Sequence, residues 1–173
     1  MVSEAVVKRA KEGDKEAFQM LYQEVYADMY RMAYYLLQNK EDAEDAVSEA
    51  VFDMYRGIKG LRDAEAFKSW VMKILSIKCK RKMKEYNAKK TDELEGENYA
   101  SKENIEQQLV MRTDIMNAMG CLKQEEQLIV VCSAVAGMNS EEIGDITGLR
   151  SATVRTKLRR ALLKLRGRLE IRV

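Results

Sequence analysis

The sequence predicts an all-α protein: two small helical domains joined by a flexible linker, the C-terminal one containing a helix-turn-helix. Three observations predict this. The 173 residues include no Pro and only 9 Gly, so little interrupts a helix. Apolar residues recur at three- and four-residue spacing along most of the chain, the period of an amphipathic helix. From Gly137 to Leu169 the chain runs GMNSEEIGDITGLRSATVRTKLRRALLKLRGRL, two helical patterns meeting across a short break.

That last stretch carries the sharpest signal. Asn139 is a good N-cap with Glu142 three residues on, close to a capping box. Ile143 and Ile146 are apolar, and Gly148 supplies the positive φ of a sharp turn. The second helix places Val154, Leu158, Ala161, Leu162 and Leu165 on one face. Between them lie Arg150, Arg155, Lys157, Arg159, Arg160, Lys164, Arg166 and Arg168, with no acid from Arg150 to Leu169. Surface helices ordinarily intersperse both signs of charge. A basic second helix behind a tight turn reads as the member that enters a DNA major groove.

The remaining elements follow in chain order. Ser3 caps a first helix to about Lys11, with Val6, Val7 and Ala10 apolar, and Gly13 ends it. Asp14 caps a second helix to about Gln38. Its stripe from Ala17 through Leu21, Val25, Met29, Met32 and Leu36 is core, flanked by Tyr26, Tyr30, Tyr34 and Tyr35. Asn39 starts a third helix whose apolar side is Ala43, Ala46, Val47, Ala50, Val51 and Met54. Its other side is polar and anionic, with Glu41, Glu44, Asp45, Ser48, Glu49 and Asp53 and no base between Glu41 and Tyr55. Such a face is either solvated or docks on a basic protein surface.

Asp63 is expected to cap a fourth helix, DAEAFKSWVMKILSIKCKRKMKEY, burying Phe67, Trp70, Val71, Ile74, Leu75 and Ile77. Its Lys68, Lys73, Lys78, Lys80, Arg81, Lys82 and Lys84 make it basic. Bases beside Trp70 suit melted nucleic acid, where cations follow phosphate and a ring stacks on a base; Trp70 also falls on the apolar stripe, where core packing is the alternative. The stretch 87–106 is polar, net acidic and poor in core residues, and reads as a tether. The boundaries are therefore a domain at 1–86, a linker at 87–106 and a second domain at 107–173. In that second domain a helix is expected from Leu122 to Ala136, after a break at Gly120-Cys121.

Composition excludes several classes of function. His is absent, which removes His-based acid–base catalysis, triads and metal ligation together. Cys79, Cys121 and Cys132 are far apart and odd in number, so no complete disulfide framework forms, and a reducing cytoplasm is the expected setting. No apolar run approaches the roughly 18 residues of a membrane span, and the N-terminus lacks the shape of a signal peptide. The net charge of +2 hides one negative and two positive regions, and local fields steer partners.

Taken in order, these parts resemble the extracytoplasmic-function group of bacterial RNA polymerase sigma factors, over nearly the whole length. KRAKEGDKEAFQMLY looks like the group's opening helices and DAEDAVSEAVFDMY like its polymerase-docking helix. AFKSWVMKIL resembles the segment that begins its promoter-melting helix, and the Gly137–Leu169 stretch its C-terminal helix-turn-helix.

The resemblance implies a sigma region 2-like domain at 1–86 and a region 4-like domain at 107–173. It places Asp42, Glu44, Asp45, Ser48, Glu49 and Asp53 against the β′ clamp helices of core polymerase, with the β flap as a further contact. It places the loop around Arg62, then Lys68, Ser69, Trp70, Lys73, Lys78, Lys80, Arg81 and Lys84, at the −10 element. Arg150, Ser151, Thr153, Arg155, Thr156, Lys157 and Arg159 fall where the group reads the −35 element. Core polymerase, promoter DNA and an anti-sigma factor are the expected partners. No cofactor, metal, catalytic residue or membrane insertion is expected. Two other readings stay open at this point: a conventional helix-turn-helix regulator, which would bind duplex DNA without polymerase, and a carboxylate-metal nuclease built on Glu41 to Asp53.

Overall fold

The computed structural model describes residues 3–92 and 115–170, and within them every regular element is helical. Helix α1 spans Glu4–Lys11, α2 Lys15–Leu37 and α3 Lys40–Gly57, followed by a 3₁₀ turn at Ile58–Gly60 and by α4 at Phe67–Asp92. Beyond the undescribed stretch come helical residues 115–119, then α5 at Gln124–Ala134, α6 at Ser140–Thr147 and α7 at Ser151–Glu170.

Local chemistry sets most of these boundaries. The Asp14 carboxylate accepts from the backbone N–H of Glu16 and Ala17 at 2.9 and 3.1 Å. Those hydrogen bonds, the Ala17 one foremost, and Arg9 beside it hold its pKa below the usual value. Asn39 accepts from Asp42 N–H at 3.0 Å and opens α3. Both satisfy donors that a helix start leaves without a partner.

Helix α2 is the axis of the molecule. It packs on α1, α3 and α4, and also on α5 from the C-terminal half. Its expected stripe is buried from Ala17 through Leu21, Val25, Met29, Met32 and Leu36. Val7 of α1, Ala43 and Met54 of α3, and Phe67, Val71 and Leu75 of α4 join it in one continuous core. Fully burying an aliphatic or aromatic side chain of this size is worth about 1.5–3 kcal/mol.

Four expectations are corrected. Helix α4 begins at Phe67, not at Asp63; Asp63 instead accepts from Glu65 N–H at 2.9 Å, an Asx-type turn before the helix. At the other end α4 continues through Asp92, so the first residues assigned to the tether are helical, in keeping with the Ala and Lys there. Ile77 is 53% exposed and Leu162 47% exposed. In α4 Met72, Ser76, Cys79 and Met83 are buried besides Phe67, Val71 and Leu75, because that helix faces α5 as well as α2. Helix α5 is also shorter than expected and starts at Gln124, where the Glu126 carboxylate reaches back to Lys123 N–H at 3.0 Å.

Candidate nucleic-acid interface

The helix-turn-helix forms as its local signals require. Asn139 Oδ1 accepts from Glu141 and Glu142 N–H at 2.9 and 3.0 Å, and Glu142 Oε2 accepts from Asn139 N–H at 2.9 Å. This reciprocal box fixes the start of α6. Gly148 ends it at φ +78°, and its N–H donates to Gly144 O at 2.8 Å. One residue escaped the sequence reading. A Cβ on Gly144 would stand 2.7 Å from the Leu149 carbonyl oxygen, so the chain after the turn can fold back this closely only over a glycine. A glycine inside the short helix, four residues before the turn glycine, was the available signal.

Beyond the turn, Thr153 and Val154 N–H close the first turn of α7 onto Arg150 O at 2.8 and 3.0 Å. Ser151 is thus the first helical residue and Arg150 stands just before it. Val154 and Ala161 are buried against α5 and α6. This leaves Arg150, Arg155, Thr156 and Arg159 exposed on the leading turns, with Ser151, Thr153 and Lys157 half-buried beside them. Six of the seven residues expected at the −35 element therefore sit on the first turns of one helix, with Arg150 immediately before it. Arg155 donates to Ser140 Oγ at 3.2 Å and Lys157 pairs with Glu125 at 2.8 Å. Further along, Lys164 holds the buried Glu126 at 2.7 Å. That bond, with Lys123 N–H second, keeps the Glu126 carboxyl below its ordinary range.

The N-terminal half treats its charges differently. The residues of α3 expected to dock divide into two strips. Glu44, Asp45 and Ser48 are exposed, whereas Asp42, Glu49 and Asp53 are half-buried toward α4. Lys78 pairs with Asp53 at 2.5 Å, Arg81 with Glu49 at 2.5 Å, and Lys82 with Asp42 at 3.3 Å. The Tyr86 hydroxyl also donates to Asp42, and burial together with that carboxylate raises the phenol's pKa. The expected docking face and the expected −10 face thus meet along an antiparallel seam of ion pairs. Sequence reasoning had kept them apart. The signal was present: cations at 78, 81 and 82 run in reverse order to acids at 53, 49 and 42.

Before α4, Arg62 is exposed in a loop that Lys11 pins by donating to Leu61 O at 2.7 Å. Lys68 pairs with Asp28 of α2 at 2.6 Å. Ser69 donates to Ala66 O at 3.0 Å. Trp70 is half-buried, its ring centroid 6.3 Å from that of Phe67, and a Cβ on Gly57 would meet the indole at 3.0 Å. The indole packs as a core residue at the edge of the site. Lys84 is exposed, while Lys73 and Lys80 reach across to α6.

Cys79 and Cys132 are buried thiols whose pKa burial pushes up to about 12 and about 11, the opposite of an activated nucleophile. Among the described residues no three Asp, Glu or Cys side chains converge to hold a metal ion; Asp42, Glu49 and Asp53 of α3 instead face cations. Nor is any helix among them long and apolar enough to cross a membrane.

This geometry has known counterparts. Residues 21–88 match the family model for sigma-70 region 2, and residues 112–165 that for sigma-70 region 4. The RNA polymerase sigma factor SigV of Bacillus subtilis is 30% identical over 142 residues, covering 80% of this chain and 82% of the relative. This chain belongs to the sigma-70 family. It is an alternative sigma factor of the extracytoplasmic-function group. The ECF sigma factor SigM of Mycobacterium tuberculosis is 24% identical over 153 residues, 88% of this chain and 77% of the relative.

Among solved structures, CnrH in complex with the cytosolic domain of CnrY matches with a TM-score of 0.71 and 17% identity, over 99% of both chains. RpoE of Bartonella quintana, in complex with the anti-sigma factor NepR, matches with a TM-score of 0.68 and 18% identity, over 89% of this chain and 97% of that one. Both likenesses are of fold.

Proposed function

We propose that this sigma factor docks on core RNA polymerase through α3 and reads a promoter at two places. Asp42, Glu44, Asp45, Ser48, Glu49 and Asp53 meet the basic β′ clamp helices. Arg62, Lys68, Ser69, Trp70, Lys73, Lys78, Lys80, Arg81 and Lys84 attend the −10 element. Arg150, Ser151, Thr153, Arg155, Thr156, Lys157 and Arg159 attend the −35 element, with the rest of the C-terminal half against the β flap. In this reading 1–86 and 107–173 act as separate working units in the cytoplasm, and an anti-sigma factor restrains them. The chain supplies specificity to an enzyme and carries no reaction itself.

One observation carries the reading: the first turns of α7 present exposed cations and hydroxyls immediately behind a capped, glycine-closed turn. The N-terminal residues of a recognition helix are those that reach base edges, and an Arg there can pair bidentately with guanine. Each DNA contact alone is weak and salt-sensitive. Tethering both units to one polymerase makes the second contact effectively intramolecular, so spacing becomes part of recognition. Opening the −10 element costs a few kcal/mol per unstacked base, offset by contacts to the displaced strand.

Run-off transcription with core polymerase and a random promoter pool tests the proposal, with Arg155→Ala as the decisive variant. It should relax −35 selection, by about 1–3 kcal/mol at the base it reads, and bind core polymerase as the parent does. Loss of polymerase binding in that variant would remove Arg155 from the −35 surface.

A further inference from the structure

The segment between the 3₁₀ turn and α4, residues 61–66, has no regular structure, yet it carries Arg62 of the proposed −10 surface. Most of its ties are local. Leu61 is buried, and its N–H donates to Ile58 O at 3.1 Å. The Asp63 carboxylate accepts from Glu65 N–H at 2.9 Å. Ala64 O accepts from Phe67 N–H at 3.1 Å, and Ala66 O from Trp70 N–H at 2.9 Å. The Leu61 carbonyl is held differently. It accepts from Lys11 Nζ of α1 at 2.7 Å, a donor 50 residues away in the chain. Lys11 is half-buried, so water competes less for this bond, and a charged donor makes it stronger than a neutral one.

Helix α1 offers a fixed base for that reach. Val7 and Ala10 are buried in the core. Gly13 turns the chain at φ +95°, and across the turn Arg9 pairs with Asp14, the cap of α2, at 2.6 Å. Lys11 sits on the last turn of α1, between these anchors.

We infer that Lys11 is a positioning residue for the −10 loop, acting through the Leu61 carbonyl and not on DNA. The inference rests on the −10 assignment proposed above. The physical link is the peptide plane. The carbonyl of Leu61 and the N–H of Arg62 belong to one rigid unit, so holding the first orients the second and sets the direction in which the chain enters Arg62 and Asp63. Without Lys11 that plane turns about the soft dihedrals on either side, and the loop divides its time among several conformers. Only the competent fraction captures a base, so the rest taxes recognition. Lys11 lies ahead of residues 21–88, the part that matches sigma-70 region 2. Helix α1 thereby gains a part in promoter selection.

The test uses the full chain. Lys11→Met keeps the apolar stem and removes the donor, whereas Lys11→Arg keeps a cationic donor. Hydrogen exchange of the backbone amides in 61–66 is followed by mass spectrometry on the free protein, and thermal denaturation checks folding. Run-off transcription with core polymerase then uses two promoter pools, one randomised at −10 and one at −35, with Arg62→Ala in parallel. Lys11→Met should speed exchange in the loop by about fivefold or more, as expected for a lost local tie. It should flatten base preference at −10 by about fivefold, the tax of a partly populated loop. Preference at −35 and affinity for core polymerase should stay at the parent's level, and Lys11→Arg should restore most of both losses. Preference is a ratio between bases, which a smaller folded fraction does not move, so it separates positioning from lost stability. Unchanged exchange, equal flattening at −10 and −35, or Lys11→Arg no better than Lys11→Met would each overturn the inference. So would a loosened loop with −10 preference intact, where Arg62→Ala flattens it. If the loop loosens and neither variant alters −10 choice, the −10 assignment itself fails, and the positioning role falls with it.

Discussion

Helices α4 and α7 are both long, basic and amphipathic, yet their charges are spent differently. In α4, Lys68, Lys73, Lys78, Arg81 and Lys82 each find a carboxylate within the chain, and Lys80 finds a helix-end carbonyl. Arg150 just before α7, and Arg159 and Arg160 within it, have no acidic partner among the described residues. In the proposed reading, α7 can meet a duplex phosphate at once. Helix α4 would first exchange internal partners for DNA, and that exchange is favourable only where something else releases the acids of α3 and α6. Equal formal charge therefore does not mean equal readiness to bind.

The largest effect expected on this contrast comes from removing the α7 side altogether. Gly144→Ala forces a Cβ to within 2.7 Å of Leu149 O. It should destabilise the C-terminal half by about 1–3 kcal/mol, the usual cost of overpacking. Urea unfolding of the full chain measures this, and duplex binding should weaken while polymerase binding survives.

The contrast itself is sharpened by salt titration. Arg159→Ala should lower the slope of log affinity against log salt by about one for duplex DNA. Lys78→Ala, which loses a cation already paired with Asp53, should change that slope less. Equal slopes would mean that internal pairing does not govern readiness.

A smaller effect belongs to the one α7 cation with a buried acid. Folding lowers the Glu126 carboxyl below its ordinary value of 4.5. Its contribution is therefore complete above that value and disappears as pH falls through the depressed one. Lys164→Met should shrink this acid-side loss, read as a flatter dependence of the thermal midpoint on pH below about 4.5.

The smallest effect is expected at Arg81. Its pairs with Glu49 and Glu85 involve groups about half exposed, so Arg81→Ala should alter stability by no more than about 0.5 kcal/mol. A larger loss in thermal denaturation would mean that the α3–α4 seam acts as one network.

What the sequence made legible divides along the same line. The helix-turn-helix was readable because its determinants are local: a capping Asn, its reciprocal Glu, a glycine at the turn and an uninterrupted basic run. The α2 stripe was readable because one helix face is buried along its whole length. Ile77, Leu162 and the start of α4 were misjudged because tertiary neighbours decide them. A helix touching two partners buries a face that no single period describes. The pairing of Asp42, Glu49 and Asp53 with α4 was missed for the same reason, being non-local. Gly144 was overlooked because a helix-interior glycine reads as a weakness until a backbone oxygen is found beside it.

Trp70 wedged against Gly57 has a practical corollary. It is the chain's only indole, and it sits at the joint where α3 hands over to α4. Its fluorescence therefore reports on a single packing contact, free of any competing tryptophan signal. Emission wavelength and quenching by acrylamide can follow that joint through polymerase capture and strand separation in real time, on the unlabelled natural sequence.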